Sequence, residues 1–292
     1  MNILLLGASG FVGRALSRTL RAAGHEIRPI SRRHGVNVSA FRQPQAWQPW
    51  LQGVDAVINA VGIITPGAGQ HFDVLHTQVP QALFRACVQV GVRRVIQISA
   101  LGTDERAFSA FHLSKRAADD ALRGMDLDGF VLRPSLIHGR GGASAGLFMR
   151  MARWPRIPVL GDGGQAIQPV HISDVVAVVQ ACLVSPQPPQ TVDVVGPQTF
   201  SMAQWLQTLR QAQGLGAAGV LPVPWPLALT AARMLGRLPP FYPLLTQDNL
   251  RMLRGGGGAG YSVDPLTALL GCPPRAWTPA RLSLLDDEGE AA

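Results

Sequence analysis

Asn2-Ile3-Leu4-Leu5-Leu6-Gly7-Ala8-Ser9-Gly10-Phe11-Val12-Gly13 decides the fold. Asn2 to Leu6 is a continuous apolar run, the pattern of a strand buried on both faces. Gly7, Gly10 and Gly13 are spaced GxxGxxG, and apolar residues at helical spacing run from Phe11 to Ala23, ending at Gly24. The tight turn after the strand needs a residue tolerant of positive φ. A close backbone approach to a pyrophosphate tolerates no side chain, and packing the helix on the strand needs a small residue in its first turn. The helix N-terminus then turns free N–H groups and a positive dipole end toward the phosphates, and Ser9 can add a hydroxyl. Gly7, Ser9, Gly10, Phe11, Val12 and Gly13 are therefore the candidate dinucleotide-binding turn.

The alternation continues outward. Strands are expected at Glu26–Ile30, Asp55–Ala60, Arg94–Ile98 and Phe130–Leu132, with helices at Gln81–Gln89 and His112–Arg123. This spacing predicts an α/β fold: a Rossmann-type doubly wound parallel sheet with its strand C-termini along one edge. Near residue 139 the character changes. Gly139–Gly142 and Pro155–Gly164 read as loop-rich, Ser173–Leu183 as an apolar helix and Thr191–Val195 as a late strand. Helices follow at Met202–Gln213, Leu227–Leu235, Gln247–Leu253 and Leu266–Leu270, with a flexible loop at Gly255–Gly258. The expected organisation is a dinucleotide-binding core over 1–138, then a segment over 139–285 that returns to the core and adds a small, mostly helical C-terminal lobe over the strand edge. Residues 286–292 form an acidic tail.

The end of the second strand reads Ile30-Ser31-Arg32-Arg33-His34. A site for NAD usually carries a carboxylate there for the ribose hydroxyls. Here Ser31, Arg32 and Arg33 offer a hydroxyl and two forked guanidinium groups suited to a 2′-phosphate, which places NADP(H) ahead of NAD.

Bulk properties narrow the function classes. The chain has 292 residues, 47% hydrophobic and 15% charged, enough for one substantial core with a lobe. No apolar run reaches membrane-helix length, and Met1–Gly7 reads as a strand and not a signal peptide. Cys87, Cys182 and Cys272 are far apart and odd in number, which points to a reduced, cytoplasmic protein with no metal cluster. The net charge of +8 comes from scattered arginines without interleaved aromatics, so nucleic-acid binding is not expected. The apolar helices near Trp225–Leu235 and Tyr242–Leu253 leave room for a protein or membrane-surface partner on the lobe.

Lys115 is the single lysine among 26 basic residues. A compact, titratable ammonium in a chain that otherwise uses arginine marks a position with its own requirement.

The ordered blocks GASGFVG (7–13), DAVINAVG (55–62), RRVIQISALG (93–102), SKRAAD (114–119), LRPSLIHG (132–139) and PVHISDVV (169–176) resemble the short-chain dehydrogenase/reductase superfamily. The chain is most similar to atypical and extended members, related to the nucleotide-binding accessory subunit of complex I and to epimerase/dehydratase-like proteins. The resemblance implies cofactor contacts at Ala60, Val61, Gly62, Ser99, Lys115, Pro134, Ser135 and Leu136, and catalytic roles for Ser99 and Lys115. The superfamily's Tyr-x-x-x-Lys pattern has Phe111 in the Tyr position. The chain's two tyrosines, Tyr242 and Tyr261, lie far along the lobe. Gln78 stands near where many members have Asn. A phenylalanine has no proton to exchange, so the resemblance preserves cofactor binding and puts the acid/base step in question.

His112, His138 and His171 are candidate replacements, since histidine titrates near neutrality. Asp174 reads as a helix N-terminal residue. No metal-ligand spacing occurs. Three functions are weighed: an NADP-dependent reductase of a small organic substrate, a non-catalytic NADP(H)-binding sensor, assembly factor or complex subunit, and, last, a sugar-nucleotide epimerase or dehydratase.

Overall fold

The computed structural model describes residues 1–67, 69–235, 246–254, 258–279 and 282. The acidic tail, Tyr242 and Gly255–Gly257 lie outside the described residues. In chain order the elements are β1 (Asn2–Leu6), α1 (Phe11–Ala22), β2 (Glu26–Ile30), the single turn α2 (Gln48–Leu51), β3 (Ala56–Asn59), α3 (Val79–Val90), β4 (Arg94–Ile98), α4 (Ala110–Arg123) and β5 (Asp128–Pro134). Then come β6 (Ile137–His138), α5 (Ala143–Ala152), β7 (Arg156–Leu160), β8 (Ala166–Ile167), β9 (Val170–His171), α6 (Ile172–Val184) and β10 (Gln190–Val194). The last are β11 (Phe200–Ser201), α7 (Met202–Ala212), β12 (Gly219–Val223), α8 (Trp225–Leu235), α9 (Gln247–Arg254) and α10 (Asp264–Leu270).

The chain forms two compact units. The first comprises Met1–Pro134, Ile172–Val194 and Asp264–Pro273. Its six-stranded sheet has the order β10-β5-β4-β3-β1-β2, and every neighbour pair is parallel. Ile3 to Leu6, Ala56 to Ile58 and Val95 to Ile96 are fully buried, as their unbroken apolar runs require. The chain order reverses between β1 and β3, the switch point where an open α/β sheet leaves a crevice beyond its strand C-termini. Leu6 and Asn59 are register partners at that point, so Gly7 and Ala60 are the first residues beyond the edge.

The second unit comprises Ser135–His171, Val195–Val263 and Pro274–Ala292. Trp205, Leu206, Leu209, Ile157, Ala152 and Trp277 form its core. Among the described residues it carries α5, α7, α8 and α9, with three two-stranded pairings, β8/β11, β7/β12 and β6/β9. The stretch read as loop at Pro155–Gly164 contains strand β7, whose partner β12 begins at Gly219. Helix α10 belongs to the first unit, where it packs on α6 and β10. No helix among the described residues is long and apolar enough to cross a membrane.

Candidate active site

The glycines of the first turn are fixed by contact. Gly7 has φ of +75°, and a Cβ on it would lie 2.5 Å from the Ala60 carbonyl oxygen. A Cβ on Gly13 would lie 2.1 Å from the Gly7 oxygen. Gly13 is therefore what lets α1 sit against the turn, and Gly7 is what lets the turn sit against the end of β3. Gly10 caps α1 with no side-chain bond, so the first-turn N–H groups are not occupied by a capping oxygen. Phe11 and Val12 open the helix, and Ser9 precedes its cap, with its carbonyl held by the Arg14 guanidinium at 2.6 Å.

Ser9, Gly10, Arg32 and Arg33 line one open cavity of about 480 Å³. None of the four is acidic. Ser31, which the sequence offers as a third donor, is buried, and its hydroxyl pairs with His34 Nδ1 at 2.7 Å. The two exposed arginines and the glycine cradle suit a dianionic phosphate and a pyrophosphate together.

At the end of β3, Asn59 Nδ2 donates to Gln97 Oε1 at 2.7 Å, and Asn59 Oδ1 accepts the Val61 N–H at 3.2 Å. This buried amide pair holds the backbone at Val61. Lys115, on the inward face of α4, is only 5% exposed and donates from Nζ to the Ile98 carbonyl at 3.1 Å. A Cβ on Gly62 would stand 3.6 Å from that Nζ, in ordinary contact, so Lys115 lies against the turn at Gly62. Burial pulls its pKa down to about 8, and the charge of Asp119 opposes that fall.

Asp119 lies one turn further along α4 and is fully buried. Its Oδ2 accepts a very short hydrogen bond from Ser99 Oγ and a second from Thr103 Oγ1 at 3.1 Å. Its Oδ1 has no hydrogen-bond partner among the described residues. Burial pushes its pKa up to about 6, opposed by the Ser99 bond and by Lys115. Ser99, Thr103, Lys115 and Asp119 thus form one buried polar cluster at the C-terminal end of β4. Such a carboxylate gains or loses its proton near neutral pH, and its bonded hydroxyl can carry that change outward.

The family model for the NAD dependent epimerase/dehydratase family matches residues 3–195. The chain belongs to that family. Within it the chain is an atypical short-chain dehydrogenase/reductase with a nicotinamide-dinucleotide-binding fold. A ceramide reductase of Caulobacter vibrioides is 29% identical over 187 residues, covering 60% of this chain and 58% of that protein. The chain therefore matches little more than half of that relative's length. Subunit 9 of the NADH dehydrogenase [ubiquinone] 1 alpha subcomplex of Mus musculus is 23% identical, covering 85% of this chain and 70% of the relative. Among solved structures, MoeE5 in complex with UDP-glucuronic acid and NAD superposes with a TM-score of 0.72 at 18% identity, with 99% of each chain covered.

Phe111 sits where the superfamily pattern has Tyr. Its ring centroid is 5.8 Å from Lys115 Nζ, and it packs against Phe72, His76 and His112. His76, not singled out in the sequence, is the buried polar group beside it. Its Nε2 accepts the Ile63 N–H at 3.0 Å, so Nδ1 carries the proton and donates to Ser114 Oγ, also at 3.0 Å. Ser114 in turn donates to the Phe111 carbonyl. Burial, then Lys115, lowers the His76 pKa to about 2, so it stays neutral. His76 ties the turn after Gly62 to α4 from a stretch of π-helix at Asp73–Gln78, a form often found at functional sites. Gln78 instead bonds Asp73 at the surface.

The other histidines divide. His112 Nδ1 pairs with Ser109, and burial lowers its pKa against a backbone bond with Leu101. In the second unit, His138 and His171 pack on Trp277, with Trp205 also against His138, and burial holds each at about 4. Pro134 ends β5. Ser135 Oγ donates to the Gln168 carbonyl, and Leu136 packs on the second unit's core. Asp174 is in the first turn of α6. Among the described residues no cluster of His, Cys, Asp and Glu could hold a metal.

Proposed function

We propose that the chain is an NADP(H)-dependent reductase of a small, carbonyl-bearing organic substrate, in which Ser99 and Asp119 take over the proton transfer that Phe111 cannot perform. When bound, NADP(H) supplies the hydride. The glycine turn, Ala60–Gly62 and Lys115 hold the dinucleotide, and Arg32 and Arg33 select its 2′-phosphate. Pro134, Ser135 and Leu136 complete the set by resemblance.

The observation that carries the reading is the buried Ser99–Asp119 bond beside Lys115. With Asp119 ionised, the Ser99 hydroxyl points its proton into the carboxylate. With Asp119 protonated, the carboxyl donates to Ser99 Oγ, freeing the serine proton for the substrate oxygen. Ser99 would give its proton to the substrate oxygen as the carbonyl is reduced. Ser99 takes the Asp119 proton, and Asp119 regains one from solvent. Lys115, cationic at neutral pH, favours negative charge growing nearby. The reductase named among the relatives supports this reaction class.

NADPH oxidation over a panel of aldehydes and ketones tests the reading. Ser99→Ala lowers turnover by ~10²-fold or more. Asp119→Asn removes the fall in rate that the wild type shows as pH rises through about 6. Replacing Arg32 and Arg33 with alanine weakens NADPH binding by at least about tenfold while leaving NADH unchanged. The second reading, a non-catalytic NADP(H)-binding protein, is favoured by the packed Phe111 ring. Tight NADPH binding with no turnover of any carbonyl would establish it over the reductase.

A further inference from the structure

Helix α8 is apolar on both sides. Its inward face, Trp225, Ala228, Leu229 and Ala232, packs with Leu250 of α9 and with Leu160 and Val223 of β7 and β12. The opposite arc at helical spacing carries Leu227, 63% exposed, and Met234, 72% exposed, with the exposed Thr230 between them. Strand β12, which runs directly into α8, exposes Val220 and Leu221 as well. A surface helix normally turns charged residues outward, and large apolar side chains grouped on an exposed face mark an interaction surface.

The charge bordering α8 is mostly positive. Arg233 is on α8 itself. Arg251 and Arg254 are exposed on α9, and the Arg254 guanidinium lies 5.5 Å from the centre of the Trp225 ring. Arg156 pairs in register with Gly219 at the start of β12, next to Val220. Asp248, bonded to Arg251 at 3.5 Å, is the one acid on α8 and α9. The bias extends through the sequence of the second unit, where residues 135–171, 195–263 and 274–282 hold eleven arginines and two aspartates, ahead of four acids in 283–292.

We infer that β12, α8 and α9 form a docking surface for an anionic lipid bilayer. Leu227 and Met234 enter the boundary between headgroups and acyl chains, Val220 and Leu221 extend that contact, and Arg156, Arg233, Arg251 and Arg254 meet lipid phosphates. This combination of a large apolar arc and flanking arginines is the pattern of a helix lying in the plane of a membrane surface. Arginine forks onto phosphate oxygens with two parallel hydrogen bonds, so a phosphate-bearing surface suits this set better than a neutral apolar one. The contact is peripheral, since no helix among the described residues is long and apolar enough to cross the bilayer.

Flotation of the full chain with vesicles tests it. Vesicles of phosphatidylcholine and phosphatidylglycerol in equal amounts carry the protein upward, and pure phosphatidylcholine binds it at least about tenfold more weakly, since each arginine near an anionic leaflet contributes roughly fivefold. Added salt weakens the binding to the anionic vesicles. Leu227→Glu with Met234→Glu abolishes flotation without changing the melting temperature, because both side chains are exposed. Absence of flotation on anionic vesicles overturns the inference, as does undiminished flotation of the double variant. Concentration-dependent dimerisation that the double variant dissolves, with no vesicle binding, assigns the surface to a second copy of the chain and overturns it equally.

Discussion

Because Lys115 is the chain's only lysine, protein grown with lysine labelled at Cε reports one side-chain titration by NMR with no assignment step. Burial pulls this ammonium down to about 8, and Asp119 is the charge that resists the fall. Asp119→Asn removes the charge but keeps an acceptor for Ser99 and Thr103, so the cluster stays paired. Lys115 and Asp119 are one helical turn apart, and at roughly 6 Å with an effective dielectric of about 20 their attraction is worth roughly 3 kcal/mol, or about 2 pH units. Lys115 in the variant should therefore titrate at roughly 6, mostly neutral at pH 7. The wild-type ammonium stays charged at that pH. A wild-type titration at the ordinary 10.5, or a variant that titrates with the wild type, would refute the buried-cluster reasoning.

Three further outcomes follow from the same geometry. His76, His138 and His171 titrate at about 2, 4 and 4 in the fold, against 6.5 for the free side chain. Their contribution is present above pH 6.5 and is lost as pH falls below it, because the unfolded chain takes up protons that the fold refuses. Asp119 has the opposite sign, since its raised pKa makes ionisation costly in the fold and acid relieves it. The net loss between pH 7.5 and pH 5.5 is roughly 3 kcal/mol, visible as a lower urea midpoint; an unchanged midpoint contradicts the buried neutral histidines. Gly13→Ala places a Cβ 2.1 Å from the Gly7 oxygen, whereas Gly10→Ala brings one only to 3.1 Å. Alanine at 13 should cost about 2 kcal/mol or more and weaken NADPH binding by at least about tenfold, while alanine at 10 does much less. Thermal melts and fluorescence titrations on the two variants separate these outcomes. Asn59→Ala leaves the Val61 N–H without its acceptor and Gln97 buried without its partner, so a destabilisation of about 1–3 kcal/mol is expected from urea melts.

The parts of the fold legible in the sequence were those with one dominant cause. The central strands read as unbroken apolar runs because helices cover both faces of a parallel sheet, and Gly7 and Gly13 are forced by backbone contacts no other residue permits. Helix starts were harder. Ser109 caps α4 by accepting the His112 N–H, which moves the start from the expected His112 back to Ala110. The π-helical turn at Asp73–Gln78 leads straight into α3 without a capping side chain, so no break marks Val79. Strand β7 was hidden by Pro155, Pro158 and Gly161 around its short apolar run.

In the candidate site, Asp119 was overlooked because a Lys and an Asp four apart on a helix usually form a surface pair. The neighbouring Arg116–Asp120 pair is one, at 3.5 Å and in contact with solvent. What separates the two pairs is the helix face, since Lys115 and Asp119 share theirs with Ala118 and Leu122. That clue was present in the spacing. His76 gave no comparable signal, because only the fold brings residues 63, 76 and 114 together.

The sheet is finished late. The chain leaves β5 at Pro134, builds β6 to β9, and supplies the neighbouring strand β10 only at Gln190–Val194, with α10 following at Asp264–Leu270. During synthesis, the polypeptide up to Pro134 therefore carries Phe130, Val131 and Leu132 on an uncapped edge, a template for pairing with other chains. Roughly sixty more residues must emerge before that edge closes, and more than a hundred before α10 covers β10. Separating the first unit as an autonomous fragment thus requires joining three stretches of sequence, and a simple truncation after β5 should aggregate.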